Sequence, residues 1–298
     1  MKDIRDKSIV RHVDVVALNF IRDTGKFAFR HHHLNGLRSH IMEMLAVEDI
    51  KKESRGVYVN GFRRFPIARP LRILRIFRKR FSGYEEIFEE VRRFQIVEHY
   101  LTATHLAMSE EFIVDYFLCE KRDLLLCGLQ EYIGGECLDL WTAGNVDCLN
   151  HIAKKLADKA GVEGAAVIDK LRQNIEKSAG SFVGAIKKMI REANYIPDLA
   201  GRGNILVTFE GHLKLVDINN ISYITSNGCV LVDEFNYPVC DKSIEVLLLI
   251  ERKLLKRSVE ENDPFYKHYL HPERLRQVET LTRRFHETIL EFPGTKNI

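Results

Sequence analysis

The 298-residue sequence lacks the features of several protein classes. Its 6 cysteines are scattered without a C-x-x-C pair, so neither a disulfide framework nor a zinc site is indicated. No apolar run approaches the ~18 residues of a membrane helix, and the charged N-terminus is not followed by the apolar core of a signal peptide. We therefore expect a cytoplasmic location.

A strong excess of one charge is also missing, since 45 Lys and Arg against 42 Asp and Glu leave a net charge of +3. Hydrophobic residues at 45% and charged residues at 29% are globular values, which argues against disordered and fibrous classes. Basic residues nevertheless cluster in one segment: Arg69, Arg72, Arg75, Arg78, Lys79 and Arg80. Such a cluster could bind nucleic acid, an anionic membrane surface or lipopolysaccharide phosphates. We favour the interpretation that these residues simply line the solvent side of a strand. Nucleic acid is therefore not the expected partner.

Two oxygen-bearing side chains stand at the two ends of a predicted β-hairpin. Asn204 precedes a strand at 205–209, and Asp217 follows a strand at 213–216. A hairpin returns the chain, so both side chains should meet at one end. Asn and Asp oxygens suit a Mg²⁺ ion that also holds phosphates, and Asp198 on the same loop could accept a hydroxyl proton. The sequence predicts a metal site for phosphoryl transfer.

At these residues the chain resembles the protein-kinase-like superfamily, which also contains the aminoglycoside, choline and lipopolysaccharide-core kinases. The thirteen-residue interval from Asn204 to Asp217 is the interval between the family's catalytic-loop Asn and its metal-binding Asp. The family pattern H-R-D-L-x-x-x-N places the catalytic Asp five residues before the Asn, whereas Asp198 lies six residues before it. Either the loop at 201–203 absorbs the extra residue, or Leu199 takes the catalytic position and the protein is impaired.

The preceding segments fit the small lobe that this resemblance implies. A strand at 71–77 is followed by a long amphipathic helix at 84–104, and two apolar runs at 112–118 and 124–131 read as an antiparallel pair. By resemblance, Glu131 would begin the hinge that hydrogen-bonds the adenine edge of a nucleotide.

The same resemblance assigns phosphate-binding residues to the strand and the helix. Arg75 stands where the family has a Lys, which is not a conservative change, and Lys79 could substitute for it. Glu90 is our choice for the helix carboxylate that positions this cation, although Glu86, Glu89 and Glu98 compete with it.

The glycine-rich loop that covers the nucleotide in many kinases has no clear counterpart. No G-x-G-x-x-G occurs in the chain. One candidate is a tight type I′ hairpin around Asn60-Gly61, within 57–65, and another is the segment 13–30. The sequence leaves this choice open.

The second half of the chain predicts mainly helices, at 182–194, 244–255 and 272–290, the second of them capped by Asp241. Asn227-Gly228 is a further hairpin signal. The tract at 31–33 consists of three histidines, as in a metal site, but has no acidic or Cys neighbour in the sequence, so we interpret it as a surface feature.

Together these patterns predict an α+β chain with two lobes, and the resemblance implies that its fold is protein-kinase-like. Residues 1–131 would form a small antiparallel β lobe with one long helix, and residues 132–298 a larger, mainly helical lobe. The resemblance implies a phosphotransferase that uses ATP and Mg²⁺ on a hydroxyl acceptor, which could be a sugar, a lipopolysaccharide or a protein. The alternative is a pseudokinase that senses nucleotide or binds a partner.

Overall fold

The computed structural model describes residues 3–23, 25–33, 36–118, 121–141, 147–224, 229–260 and 263–290. The chain forms two compact units. The first contains the chain up to Val91 and Met108–Tyr132, and the second contains Arg92–Ala107 and the chain from Ile133 onward. The predicted α+β class is confirmed. Residues 92–107 belong to the second unit, whereas the sequence predicts them in the small lobe.

The first unit is built on a five-stranded antiparallel sheet. Its helices are α1 (His12–Val16), α2 (Val47–Arg55) and the beginning of α3 (Tyr84–His105). Its strands are β1 (Phe27–His31), β2 (Ser39–Ala46), β3 (Val57–Val59), β4 (Phe62–Arg64), β5 (Arg72–Phe77), β6 (Ser109–Leu118) and β7 (Lys121–Glu131). The sheet order is β1-β2-β5-β7-β6, and residues such as Met42, Leu74 and Leu125 form its fully buried core.

Local sequence patterns explain the elements that were predicted best. Strands β6 and β7 pair antiparallel from Ser109↔Gln130 to Leu118↔Lys121, as the two apolar runs predicted. Helix α3 buries Ile87, Phe94 and Val97, which recur at helical spacing.

The tight hairpin at Asn60-Gly61 forms, but it does not belong to the main sheet. Asn60 and Gly61 have φ values of 50° and 84°, the positive values that a type I′ turn demands. Strands β3 and β4 pair only with each other in the described parts of the chain. The first two strands of the sheet are β1 and β2 instead, so neither candidate for the nucleotide-covering loop connects them.

The second unit is mainly helical. Beyond the rest of α3, its helices are α4 (Cys148–Ala160), α5 (Ala165–Ala193), α6 (Val239–Leu249) with a π-helical turn at Ile250–Leu254, and α7 (Pro272–Leu290). Its short strands are β8 (Gly135–Cys137), β9 (Tyr195–Pro197), β10 (Ile205–Thr208), β11 (Leu213–Leu215) and β12 (Ile221–Tyr223). They form a three-stranded sheet, β11-β10-β8, and the pair β12-β9.

The prediction that Asp241 caps a helix is wrong. Helix α6 already begins at Val239, and the buried Asp241 carboxylate accepts hydrogen bonds from the Arg274 guanidinium of α7. The Nε–Oδ1 distance is 2.5 Å. This residue is therefore a partner in a buried ion pair.

The Asn227-Gly228 signal lies outside the described residues. Within the described ranges, none of the helices combines the length and the apolar character needed to cross a bilayer.

Candidate functional site

Asp198 begins the loop that leads from β9 to β10. Its carboxylate Oδ1 accepts hydrogen bonds from the backbone amides of Ala200 (2.9 Å) and Gly201 (3.1 Å). The side chain is buried, and its own backbone amide donates to the Asn220 carbonyl at 2.8 Å. The loop's own amides therefore hold the Asp198 carboxylate in one orientation.

The loop forms a turn at 201–204. The Asn204 amide donates to the Gly201 carbonyl at 3.1 Å, and Gly203 adopts a φ of 85°, a value that favours glycine. Asp198 thus lies at the start of the loop, and the glycines allow the chain to turn before Asn204.

Asn204 is buried, and its carboxamide is positioned by a hydrogen bond and by a close approach to a glycine. Its Nδ2 donates to the Asp198 carbonyl at 2.8 Å, so Oδ1 is the atom that the side chain can offer to a cation. It also packs against Gly201, where an added Cβ would lie only 2.5 Å from Nδ2. The orientation of Asn204 therefore depends on the absence of a side chain at 201.

The hairpin of β10 and β11 brings Asn204 and Asp217 to the same end. The register pairs Ile205 with Leu215, and the Val216 amide donates to the Asn204 carbonyl at 2.8 Å, which extends the ladder by one residue. The half-buried Asp217 follows directly, and its Oδ1 accepts from the Asn219 amide at 2.9 Å. Both predicted metal-binding residues thus lie at one hairpin end.

Two residues beside this hairpin end were not singled out in the sequence. Asp233 accepts hydrogen bonds from the Phe235 and Tyr237 amides, both at 2.8 Å, and from Asn220 Nδ2 at 3.3 Å. Burial raises the pKa of Tyr237, and the negative charges of Asp198, Glu245 and Asp233 raise it further. Tyr237 is therefore a neutral phenol in the electrostatic field of Asp198.

In the first unit, Lys79 pairs with Glu90, the predicted helix carboxylate. Lys79 Nζ lies 3.0 Å from Glu90 Oε2 and 3.2 Å from Glu86 Oε1. Burial acts to lower the pKa of Lys79, but the hydrogen bonds and charges of both carboxylates outweigh it and hold this pKa above its ordinary value. The Lys79 ammonium therefore stays charged.

Arg75 has a different partner. It is 2% exposed, and its Nη2 donates to Glu111 Oε1 at 2.7 Å and to Ser109 Oγ at 3.0 Å. Gly128 lies between them on β7, where an added Cβ would stand 3.1 Å from Glu111 Oε1. Arg75 therefore forms a buried ion pair across the sheet, which favours a structural role over the predicted phosphate contact.

Glu131, the predicted start of the hinge, is already hydrogen-bonded to Met108. Its amide donates to the Met108 carbonyl at 2.9 Å, and its Oε1 accepts from the Met108 amide at 3.1 Å. The Glu131 amide thus already donates a hydrogen bond within the first unit.

The histidine tract has an acidic neighbour that the sequence did not reveal. One ligand atom each of His32, His33 and Glu43 lie within 4.8 Å of one another. However, Arg30 Nε donates to Glu43 Oε2 at 2.8 Å, so the carboxylate is already neutralised by a guanidinium. This pairing weakens the attraction of the cluster for a metal cation.

No protein-family model matches the sequence, and no curated protein matches it either.

Proposed function

We propose that this chain is a phosphotransferase of the protein-kinase-like type that uses ATP and Mg²⁺ and acts on a hydroxyl acceptor. The observation that supports it best is the positioned Asn204 carboxamide at the same hairpin end as Asp217. Both side chains offer hard oxygen ligands, which fit Mg²⁺ and leave room for phosphate oxygens.

In this proposal each residue has one role. Asn204 and Asp217 hold Mg²⁺, which when bound neutralises charge on the phosphate oxygens. Asp198 orients or deprotonates the acceptor hydroxyl, and the amides of its loop keep its carboxylate in place. Lys79 is our candidate for a phosphate contact, with Glu90 as its positioning residue, because Arg75 is bound by Glu111.

The second candidate is a pseudokinase that binds nucleotide or a partner without transfer. Asp198 Oδ1 already accepts two backbone amides, which favours a structural role for this carboxylate. The loop is also one residue longer than the family pattern.

Calorimetric titration of ATP with and without Mg²⁺ tests the metal site. Binding should depend on Mg²⁺ and weaken in Asp217→Ala, while Asp169→Ala, which removes an exposed carboxylate from α5, should bind like the parent. Gly201→Ala should also weaken Mg²⁺-dependent binding, because the added Cβ displaces the Asn204 carboxamide without removing a ligand. Absence of binding at millimolar ATP would refute the nucleotide site.

ATP consumption with pooled sugar, lipopolysaccharide and protein acceptors then separates the two candidates. Asp198→Asn should lower turnover by about 10² to 10⁴ while sparing ATP binding. A parent protein that binds Mg·ATP but transfers to no acceptor would favour the pseudokinase.

A further inference from the structure

Residues 55–84 form the most one-sided stretch of charge in the chain. These thirty residues contain nine Arg and Lys and no Asp or Glu. The structure divides the nine into two groups. Four have partners within the first unit. Three form ion pairs, Arg75 with Glu111, Lys79 with Glu86 and Glu90, and Arg80 with Asp3 and Asp6, while Arg78 is hydrogen-bonded to backbone carbonyls and His40.

The other five are solvent-exposed and form no ion pair within the described parts of the chain: Arg55, Arg63, Arg64, Arg69 and Arg72. They lie on or beside the β3–β4 hairpin and the segment that follows it. Their charges are therefore available to an anionic partner, unlike those of the basic cluster as a whole.

Large apolar side chains are exposed on the same stretch. Phe62 is 79% exposed, Ile67 81%, Tyr58 76% and Phe65 57%, and Leu71 adds a further aliphatic side chain at 48%. Exposure of this many large apolar residues within one short segment marks an interaction surface. We call residues 57–72 the hairpin surface.

Both faces of this hairpin carry apolar and basic groups. Tyr58 pairs with Arg63 on one face, and Val59 pairs with Phe62 on the other, which also carries Arg64. An isolated two-stranded hairpin is marginally stable, but Arg63 fastens this one to the end of α2 by donating from Nε to the Arg55 carbonyl at 2.8 Å. The hairpin is thus held in place while both of its faces stay open.

We propose that the hairpin surface docks on an anionic lipid bilayer. Aromatic and aliphatic side chains enter the boundary between headgroups and acyl chains, while Arg side chains pair with lipid phosphates. Nucleic acid also attracts Arg and aromatic groups, but the aliphatic Ile67 and Leu71 offer no base-stacking face, so they favour the lipid. This inference goes beyond the proposed function and does not depend on it.

Sedimentation with vesicles tests the docking directly. The protein should pellet with vesicles of phosphatidylcholine mixed with phosphatidylglycerol, should stay in solution with pure phosphatidylcholine, and should be released by salt. Phe62→Ser/Arg64→Gln should lower the partition constant at least about tenfold, since each basic group near the surface contributes about fivefold. The matched control Phe117→Ser/Arg22→Gln removes an exposed aromatic and an exposed Arg elsewhere in the first unit and should bind like the parent.

A fluorescence measurement does not depend on comparing variant affinities. The chain has 1 Trp, so Trp141→Phe leaves a background in which Phe62→Trp reports only on the hairpin. Its emission should shift to the blue with anionic vesicles, while Phe117→Trp in the same background should not shift. Equal binding of the two double variants, an unshifted hairpin Trp, or tighter binding to a DNA or RNA duplex than to vesicles would overturn the proposal.

Discussion

Arg75 and Lys79 lie four positions apart, and Lys79 was considered as a substitute for Arg75 in one role, yet their surroundings in the fold differ. Arg75 is 2% exposed and pairs with Glu111 across the sheet. The Lys79 side chain is 45% exposed and pairs with Glu90 and Glu86 on the following helix. A buried charge needs a permanent partner, whereas a half-exposed one can exchange a carboxylate for another anion at little cost. Burial thus separates a cation with a fixed partner from one that can exchange its partner.

Arg78 is an intermediate case. It is half-buried and donates to the Arg5 and Lys7 carbonyls and, through Nη2, to His40 Nδ1 at 3.2 Å. The His40 Nε2 bonds to the Ile4 carbonyl at 2.9 Å. Since a carbonyl only accepts and a guanidinium only donates, His40 is neutral with its proton on Nε2.

The largest effect should follow from breaking the buried pair. Arg75→Met should lower the free energy of unfolding by about 3 to 5 kcal/mol, because Glu111 is left buried without its counter-charge. Urea denaturation measures this. The double variant Arg75→Met/Glu111→Leu should recover most of the lost stability, since both charges are gone. If Arg75→Met alone lowered the free energy of unfolding no more than Lys79→Met does, the two cations would not differ as described.

His40 should make the fold sensitive to moderate acid. Burial, and secondly the Arg78 charge, lower the His40 pKa from 6.5 to about 4. Because the folded-state pKa lies below the unfolded one, this contribution to stability is complete above pH 6.5 and is lost as the pH falls towards 4. The shift corresponds to at most about 3 kcal/mol.

Denaturation at several pH values checks this. His40→Gln should flatten the stability curve between pH 6.5 and 4 relative to the parent. Carboxylates with lowered pKa, such as Asp3 and Asp14, lose their contribution mainly at lower pH and are common to both proteins. Parallel curves for the two proteins would contradict the assignment.

The smallest effect on stability should come from Lys79. Lys79→Met should change the free energy of unfolding by less than about 1 kcal/mol, because its pair with Glu90 is partly exposed and screened by solvent. If Lys79 contacts phosphates as proposed, calorimetry should show at least about tenfold weaker Mg·ATP binding. If Lys79→Met lowered stability nearly as much as Arg75→Met and left nucleotide binding unchanged, Lys79 would be a structural cation and not a ligand-binding one.

The elements predicted best are those whose local preference agrees with their place in the fold. Strands β6 and β7 and helix α3 follow this rule. Strand β2 was missed because its sequence, Ser39–Ala46, is rich in Met, Glu and Leu, which favour helices. Pairing with β1 and β5 overrides that preference.

Helix α5 was predicted only from 182 onward, although it begins at Ala165. Gly180 weakens the helical signal just before the predicted start, since glycine disfavours helix on its own. Packing of buried residues such as Leu171, Ile175 and Phe182 sustains the helix through this position.

Local sequence patterns were enough to predict the hairpin that ends at Asn204 and Asp217, and the segment of a strand followed by a helix that contains Lys79 and Glu90. These depend on turns and periodicity, which act over a few residues. Three other features depend on the folded chain: Arg75 pairs with Glu111, Asp241 pairs with Arg274, and Tyr237 lies in the field of Asp198. Those partners lie far apart in the chain. A buried charge or phenol requires a nearby polar partner, and a local sequence pattern does not specify which distant residue will supply it.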